Sequence, residues 1–132
     1  MKLLIVDDEK LDREGLANQL PWGDFGISSL TTAASGTEAL ELIRMDPPDI
    51  ILSDVKMPGM SGLELVEKAL AIKNDLQVVF VSGYDDFDYI KNALRLQARE
   101  YILKPVRDDE LRQVISKVAA AVTLDRQRKS MM

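Results

Sequence analysis

The amino-acid sequence predicts an α/β domain with a doubly wound parallel sheet. Short apolar runs of high β propensity alternate strictly with amphipathic segments, and three of these runs are apolar nearly throughout, as strands buried on both faces of a parallel sheet are. Five strands and five helices in alternation indicate right-handed crossovers with helices on both faces of the sheet. The 132 residues, 46% of them hydrophobic, suffice for one domain with a substantial core.

Five segments are predicted to be strands because they are short, apolar and rich in β-forming residues. In chain order they are KLLIV (2–6), SLTTA (29–33), DIILS (49–53), QVVFV (77–81) and EYIL (100–103). Helical patterns fill the intervals between them, so each strand is expected to lead into a crossover helix.

Two of the helices are expected to begin at capping boxes, in which a serine and a glutamate three residues later satisfy free backbone amides. These boxes are SGTE at 35–38 and SGLE at 61–64. After the second box, Leu63, Val66 and Leu70 recur at helical spacing, which predicts that they share one buried face.

Apolar stripes predict the other three helices. Leu16 and Leu20 lie in a first helix from about residue 10 to 20. A shorter helix after Asp85 is predicted from three apolar residues, Phe87, Ile90 and Leu94. The clearest stripe marks a C-terminal helix from about 107 to 122 and consists of Leu111, Val114, Ile115, Val118 and Val122.

The last ten residues, TLDRQRKSMM (123–132), lack apolar periodicity and carry three bases. They are predicted to be a frayed end or a linker toward an output domain that is absent from this chain. The predicted domain therefore spans residues 1–122.

Composition excludes several classes of function. The 22 acids against 17 bases give a net charge of −5, which argues against direct nucleic-acid contact by this domain. With no histidine, serine–histidine triads and most zinc sites are excluded, and any metal would be a hard cation held by oxygen. No cysteine, signal peptide or membrane-length run is present, so a cytoplasmic location without membrane contact is expected.

Polar side chains follow four of the five predicted strands. Asp7 and Asp8 follow the first strand, Asp54 the third, Ser82 the fourth and Lys104 the fifth. In an open parallel sheet, ligands bind beyond the carboxyl ends of the strands, so these side chains are predicted to converge.

Such a cluster suits phosphoryl transfer. Carboxylates that lie close together repel one another unless a cation lies among them, and Mg²⁺ or another divalent cation prefers oxygen ligands. A cation, an ammonium and a hydroxyl together can receive a dianionic phosphoryl group. A carboxylate can then act as the nucleophile and form an aspartyl phosphate.

Four motifs, VDDE (6–9), SDVKMPGMSGLEL (53–65), VSGY (81–84) and YILKPV (101–106), occur in this order. Over residues 1–122 the chain resembles the receiver domain of two-component response regulators. The resemblance implies a flavodoxin-like sheet of strand order 2-1-3-4-5 and a Mg²⁺ cofactor. It also implies a sensor histidine kinase as partner and a regulatory role, with self-phosphotransfer and self-dephosphorylation as the only reactions.

The resemblance also implies roles for individual residues. Asp54 would be the phospho-acceptor, left exposed by the MPGMSG loop. The metal ligands would be Asp7, Asp8, Asp54 and the backbone carbonyl of Lys56, with Asp7 acting mostly through water. Lys104 would pair with the phosphoryl group.

The remaining roles concern the switch. Ser82 would hydrogen-bond the phosphoryl group, and Tyr101 would be the aromatic residue that moves inward when Ser82 is drawn away. The surface of the last two helices and the fifth strand would change with it, with a homodimer as a possible outcome. Pro105 would follow a cis peptide bond that aims Lys104 inward.

A narrower resemblance involves residues 13–43, with their Trp-Gly-Asp-Phe-Gly loop, and SGYDDFDYIKNAL (82–94). These segments are similar to receivers that precede AraC-type helix-turn-helix DNA-binding domains. The resemblance implies transcription regulation through such an output domain, which these residues do not contain.

Three alternatives share parts of this pattern. A pseudo-receiver would be an interaction module without phosphorylation, although the acceptor, the acids and the lysine are all present here. A flavodoxin-like cofactor binder would need a phosphate-cradling loop after the first strand, where this chain has acids. A haloacid-dehalogenase-type phosphatase would need an Asp-x-Asp pattern there, which VDDEK lacks.

Overall fold

Five parallel strands form a single sheet in the order β2-β1-β3-β4-β5. The computed structural model describes residues 1–83 and 100–131. The strands are β1 (Lys2–Val6), β2 (Ser29–Ala33), β3 (Ile50–Asp54), β4 (Gln77–Ser82) and β5 (Glu100–Leu103). This arrangement confirms the predicted doubly wound, flavodoxin-like fold. All strands are parallel, but the chain adds β2 on one side of β1 and β3 to β5 on the other, so the strand order reverses between β1 and β3.

The strands alternate their side chains between two hydrophobic clusters, one on each face of the sheet. In β1, for example, Leu3 and Ile5 belong to the first cluster, whereas Leu4 and Val6 belong to the second. Every residue of β3 and β4 is buried, as expected for central strands of a parallel sheet.

Four α-helices accompany the sheet within the described ranges: α1 (Lys10–Gln19), α2 (Gly36–Met45), α3 (Gly62–Ile72) and α4 (Asp108–Ser130). The predicted helix that contains Phe87, Ile90 and Leu94 lies outside the described residues. None of the described helices is both long and apolar enough to cross a membrane.

Both predicted capping serines cap their helices. Ser35 accepts a hydrogen bond from the amide of Glu38 at 3.1 Å, and Ser61 accepts one from Glu64 at 3.2 Å. The predicted face of α3 is confirmed, because Val66 is buried in the second cluster and Leu63 and Leu70 pack half-buried against the same cluster. The prediction omitted Leu65 and Ala69, which are also buried.

The loop between α1 and β2 forms a short 3-10 helix, Trp22–Phe25. Trp22 is 8% exposed and belongs to the first cluster, and its indole N–H donates to the carbonyl of Ala17 at 2.9 Å. Gly26 closes this turn in the left-handed region, at φ +81°. Arg112 of α4 lies over the Phe25 ring, 5.9 Å from its centroid. The loop between α1 and β2 therefore adds the large Trp22 side chain to the core.

The predicted end of the last helix near residue 122 was wrong, because α4 continues to Ser130. Two ion pairs hold the additional turns against loops of the sheet: Arg126 with Asp49 at 2.9 Å, and Lys129 with Asp75. These contacts are long-range, so the local sequence pattern does not reveal them. That residues 123–132 lead toward an output domain stays a prediction.

Candidate functional site

Three aspartates meet at the carboxyl edge of the sheet, beside the point where the strand order reverses. Asp7 follows β1 directly and Asp54 ends β3, and these strands are neighbours with Val6 opposite Ser53. One carboxylate oxygen each of Asp7, Asp8 and Asp54 lies within 4.8 Å of the others. Asp7 is 1% exposed, whereas Asp8 is half-buried. The predicted convergence of these three residues is therefore present.

The Asp54 side chain is 9% exposed, so the expectation that the loop leaves it open was wrong. The ammonium of Lys104 donates to Oδ2 of Asp54 at 3.3 Å, and the backbone N–H of Lys56 donates to Oδ1 at 3.4 Å. Burial raises the pKa of Asp54 above its ordinary value. Lys104 opposes this rise, while the carboxylate of Asp7 adds to it. The ionised carboxylate of Asp54 is thus destabilised by its surroundings.

Lys104 joins the acids into one network. Its Nζ donates to Asp12 Oδ2 at 3.0 Å, to Asp7 Oδ2 at 3.1 Å and to Asp54 Oδ2 at 3.3 Å, which occupies all three N–H groups. Burial alone would lower the pKa of Lys104, but these three carboxylates raise it above its ordinary value. Its backbone N–H donates to the backbone carbonyl of Ser82 at 2.8 Å, and its peptide bond to Pro105 is cis.

Hydrogen bonds from a backbone amide and from an arginine side chain hold Asp7 in place. Its Oδ1 accepts from the amide of Glu9 at 2.9 Å, and its carbonyl accepts from Arg13 Nη1 at 2.9 Å. Since Oδ1 is engaged by the backbone, Oδ2 is the oxygen that meets Lys104.

Ser82 ends β4 and is fully buried beside β5. Its hydroxyl contacts the hydroxyl of Tyr101, and it donates to the carbonyl of Gly83 at 3.4 Å. Tyr101 is half-buried and packs against the second cluster. The two predicted switch residues are therefore in direct contact.

The loop after β3 brings the backbone of α3 close to Asp54. Gly59 turns the chain in the left-handed region, at φ +76°. At Gly62, a Cβ atom would lie 2.0 Å from the carbonyl oxygen of Asp54, so only glycine fits there. The capping box predicted at 61–64 includes Gly62 but does not reveal this requirement.

Sequence reasoning also missed Asp12, which lies in the first turn of α1 and contacts Lys104. The available signal was only its place in the chain. Asp12 lies in the first turn of the helix that follows β1, which places it near the carboxyl edge of the sheet but does not reveal its contact with Lys104.

The three clustered aspartates fit a hard divalent cation. They offer only oxygen donors, and two or three carboxylates suffice for Mg²⁺, which keeps several waters. The backbone of Lys56 lies beside them, as its N–H contact with Asp54 shows. This part of the protein could therefore hold a metal.

These features define a flavodoxin-like α/β domain with an aspartate–lysine site at its switch point. The profile of the family described as "Response regulator receiver domain" matches residues 3–116. The chain belongs to this family, which is regulatory rather than catalytic, as its four motifs predict.

Known proteins similar to this chain are regulators of the same kind. The transcriptional regulatory protein HptR of Staphylococcus aureus is 36% identical over 117 residues, covering 89% of this chain and 46% of HptR. The chain thus spans about half the length of the curated relatives that it matches.

Several solved structures match nearly the whole chain, and two of them come from regulators of this kind. The receiver domain of AraT, a response regulator from Geobacillus stearothermophilus, is 36% identical with a TM-score of 0.90, covering 95% of this chain and 97% of that one. A two-component transcriptional regulator AraC from Clostridium phytofermentans is 35% identical with a TM-score of 0.89, covering 96% and 98%. The predicted similarity to receivers of AraC-type regulators is confirmed.

Proposed function

We propose that this domain is the phosphorylation-dependent signal receiver of a two-component system and accepts a phosphoryl group on Asp54 from a sensor histidine kinase. The observation that carries the proposal is the contact of Lys104 with Asp54 beside the carboxylates of Asp7 and Asp8. Membership of the receiver family supports the same function.

In this proposal a carboxylate oxygen of Asp54 attacks the phosphorus of a phosphohistidine. The new O–P bond forms as the P–N bond breaks, and the leaving imidazole nitrogen keeps the electron pair. Lys104 donates to Asp54 and can redirect that hydrogen bond to the arriving phosphoryl oxygens. Ser82 can donate its hydroxyl to the same group.

Asp7, Asp8, Asp54 and the backbone carbonyl of Lys56 would hold the Mg²⁺ ion. When bound, Mg²⁺ supplies positive charge that offsets the negative charge of the phosphoryl group and the carboxylates. The protein supplies the position of the nucleophile, since β3 and Gly62 fix the backbone of Asp54.

Acetyl phosphate tests the acceptor directly. Incubation with acetyl phosphate and MgCl₂ should add the mass of one phosphoryl group, and EDTA or Asp54→Asn should abolish the addition. Asp49→Asn is the matched control, because Asp49 is a buried aspartate just before the opposite end of β3 and its replacement should leave labelling intact. Full labelling of Asp54→Asn would move the acceptor elsewhere. An unlabelled wild-type protein would support the pseudo-receiver instead.

We also propose that Ser82 and Tyr101 transmit phosphorylation to the surface of β5 and α4, and that the response is self-association. The contact between the two hydroxyls supports the coupling, because a phosphoryl group would compete with Tyr101 for Ser82. Tyr101→Ala should keep labelling at Asp54 and lose phosphorylation-dependent dimerisation in analytical ultracentrifugation. Tyr101→Phe should lie between, since it loses only the hydroxyl contact. An unchanged sedimentation profile of phosphorylated wild-type protein would exclude this output.

The output is proposed to be transcription regulation through an AraC-type helix-turn-helix domain in a longer cytoplasmic protein. Similarity to regulators of this type and the coverage of only 46% of HptR support the proposal. Sequencing the coding DNA downstream of residue 132 tests it, and a stop codon directly after the last residue would contradict it.

A further inference from the structure

Lys104 links the acid cluster to an acid outside that cluster. Two of its three acceptors, Asp7 and Asp54, belong to the group of three carboxylates that lie within 4.8 Å of one another. The third acceptor, Asp12, lies on α1 and is not in this group. At 3.0 Å, the contact with Asp12 is also the shortest of the three.

A divalent cation and Lys104 draw on the same carboxylates. Lys104 contacts Oδ2 of Asp7 and Oδ2 of Asp54, and the other oxygen of Asp7 already accepts a backbone hydrogen bond from Glu9. A cation held by these acids must therefore share them with an ammonium of like charge. The three carboxylates of the cluster just neutralise a divalent cation and one ammonium, so a further carboxylate that draws the ammonium toward itself lessens the competition for the shared oxygens.

We propose that Asp12 is a positioning residue that acts through Lys104. It draws the ammonium toward α1, so that Lys104 competes less with a divalent cation for the oxygens of the acid cluster. The inference rests on the proposed function, because it concerns the cation site of that function.

The surroundings of Asp12 suit this role. Its side chain is 48% exposed, at the rim of a groove of about 190 Å³ between α1 and the segment from Lys104 to Val106. The backbone of Lys104 is anchored separately, by its hydrogen bond to Ser82. Asp12 therefore acts on the end of the lysine side chain, and its replacement opens no buried cavity.

Titration of the metal-free protein with MgCl₂, followed by calorimetry, measures the effect. In Asp12→Asn the ammonium keeps only Asp7 and Asp54 as charged partners and competes for them more strongly with the cation. The dissociation constant for Mg²⁺ should rise roughly tenfold, as it does when residues that orient metal ligands are removed. Asp12→Glu should restore most of the affinity.

Two controls separate positioning from a general loss of negative charge. Glu14→Gln removes one exposed charge from the same helix and should change the constant by less than about twofold at 0.15 M salt. In a Lys104→Met background, Asp12→Asn should have no more effect than Glu14→Gln, because the residue it acts through is gone.

Each outcome bears on the inference. A tenfold loss that persists in the Lys104→Met background would mean that Asp12 meets the cation directly, and it would overturn the positioning role. Equal effects of Asp12→Asn and Glu14→Gln in the wild-type background would overturn this inference alone. If the wild-type protein does not take up Mg²⁺, the cation site of the proposed function is wrong, and the inference fails with it.

Discussion

At the scale of single residues, two buried aspartates have pKa values shifted in opposite directions: Asp49 lies just before β3, and Asp54 ends it. Burial alone would raise the pKa of Asp49, but hydrogen bonds from the Lys2 amide and the Lys73 ammonium hold it below the ordinary value. Burial raises the pKa of Asp54, and the ion pair with Lys104 offsets this only in part. Asp49 therefore stabilises the fold at neutral pH, whereas ionised Asp54 destabilises it.

We expect Asp54→Asn to raise the free energy of unfolding at pH 7 without divalent cations. The destabilisation by Asp54 is complete above its raised pKa in the folded protein and disappears as the pH falls below the ordinary value of 3.8. The advantage of the variant should therefore shrink with falling pH. Urea unfolding between pH 7 and pH 3 measures it.

Asp49→Asn is the matched control with the opposite sign. The stabilisation by Asp49 is present above the ordinary value of 3.8 and is lost as the pH falls through its lowered pKa in the folded protein. This variant should be less stable than wild type at pH 7, with a deficit that closes at low pH. Two variants that shift stability in the same direction at pH 7 would contradict this account.

Gly62→Ala should destabilise the fold by about 3 kcal/mol or more, at the upper end of the range for overpacked sites. The added Cβ would lie 2.0 Å from a backbone oxygen of Asp54, which cannot move as a side chain could. Gly15→Ala is the control, because nothing lies within 4 Å of its Cβ position in α1. That variant should gain about 0.5–1 kcal/mol, as glycine is a poor helix former. Similar stabilities for the two variants in chemical denaturation would refute the close approach.

At the scale of helices and strands, the local apolar pattern of the sequence predicted the strands closely. The bounds of β1, β2 and β5 coincide with the predicted segments, β3 is shifted by one residue at both ends, and β4 is one residue longer at its end. The agreement is close because buried parallel strands are continuous apolar runs. The end of α4 was not predictable in this way, since its last turns rest on contacts with Asp49 and Asp75, far away in the sequence.

Arg126→Ala should loosen the last two turns of α4 and leave the rest of the domain intact. The arginine of the ion pair with Asp49 is half-exposed, so the pair contributes at most about 1 kcal/mol. Its loss should therefore speed amide exchange of residues 124–130 by at most about fivefold. Arg128→Ala removes the same charge from an exposed position of the same helix and should leave this exchange unchanged. Equal protection in both variants would show that the ion pair does not hold the helix end.

At the scale of the whole molecule, topology explains why the site could be predicted in outline. The carboxyl ends of parallel strands meet at one edge, so residues as distant as Asp7 and Lys104 come together once the strand order is known. The contact between Asp12 and Lys104, the burial of Asp54 and the need for glycine at position 62 could not be predicted. They depend on how α1 and α3 pack against the sheet and on where the Lys104 side chain, after β5, lies relative to them.

The concentration of carboxylates at one edge should make stability depend on divalent cations. A cation that binds only the folded state at ten times its dissociation constant adds about 1.4 kcal/mol, or roughly 2–6 °C in melting temperature for a domain of this size. Asp8→Asn should raise the melting temperature without metal, since one of three like charges is gone, and should nearly abolish the response to Mg²⁺.

Na⁺ at matched ionic strength is the control, because it screens charges without occupying the site. Differential scanning calorimetry of both proteins with each salt gives the comparison. An Asp8→Asn protein that is less stable without metal and keeps the full Mg²⁺ shift would show that Asp8 is structural.

The position of Trp22 has an optical consequence. It is the only tryptophan in the sequence, and it is buried near the amino-terminal edge of the sheet, where the chain passes from α1 into β2. The acid cluster lies at the opposite edge, after β1 and β3. Indole emission should therefore shift to longer wavelength when the core opens to water and stay constant while a cation titrates the aspartates. Intrinsic fluorescence can thus report global unfolding without interference from the site.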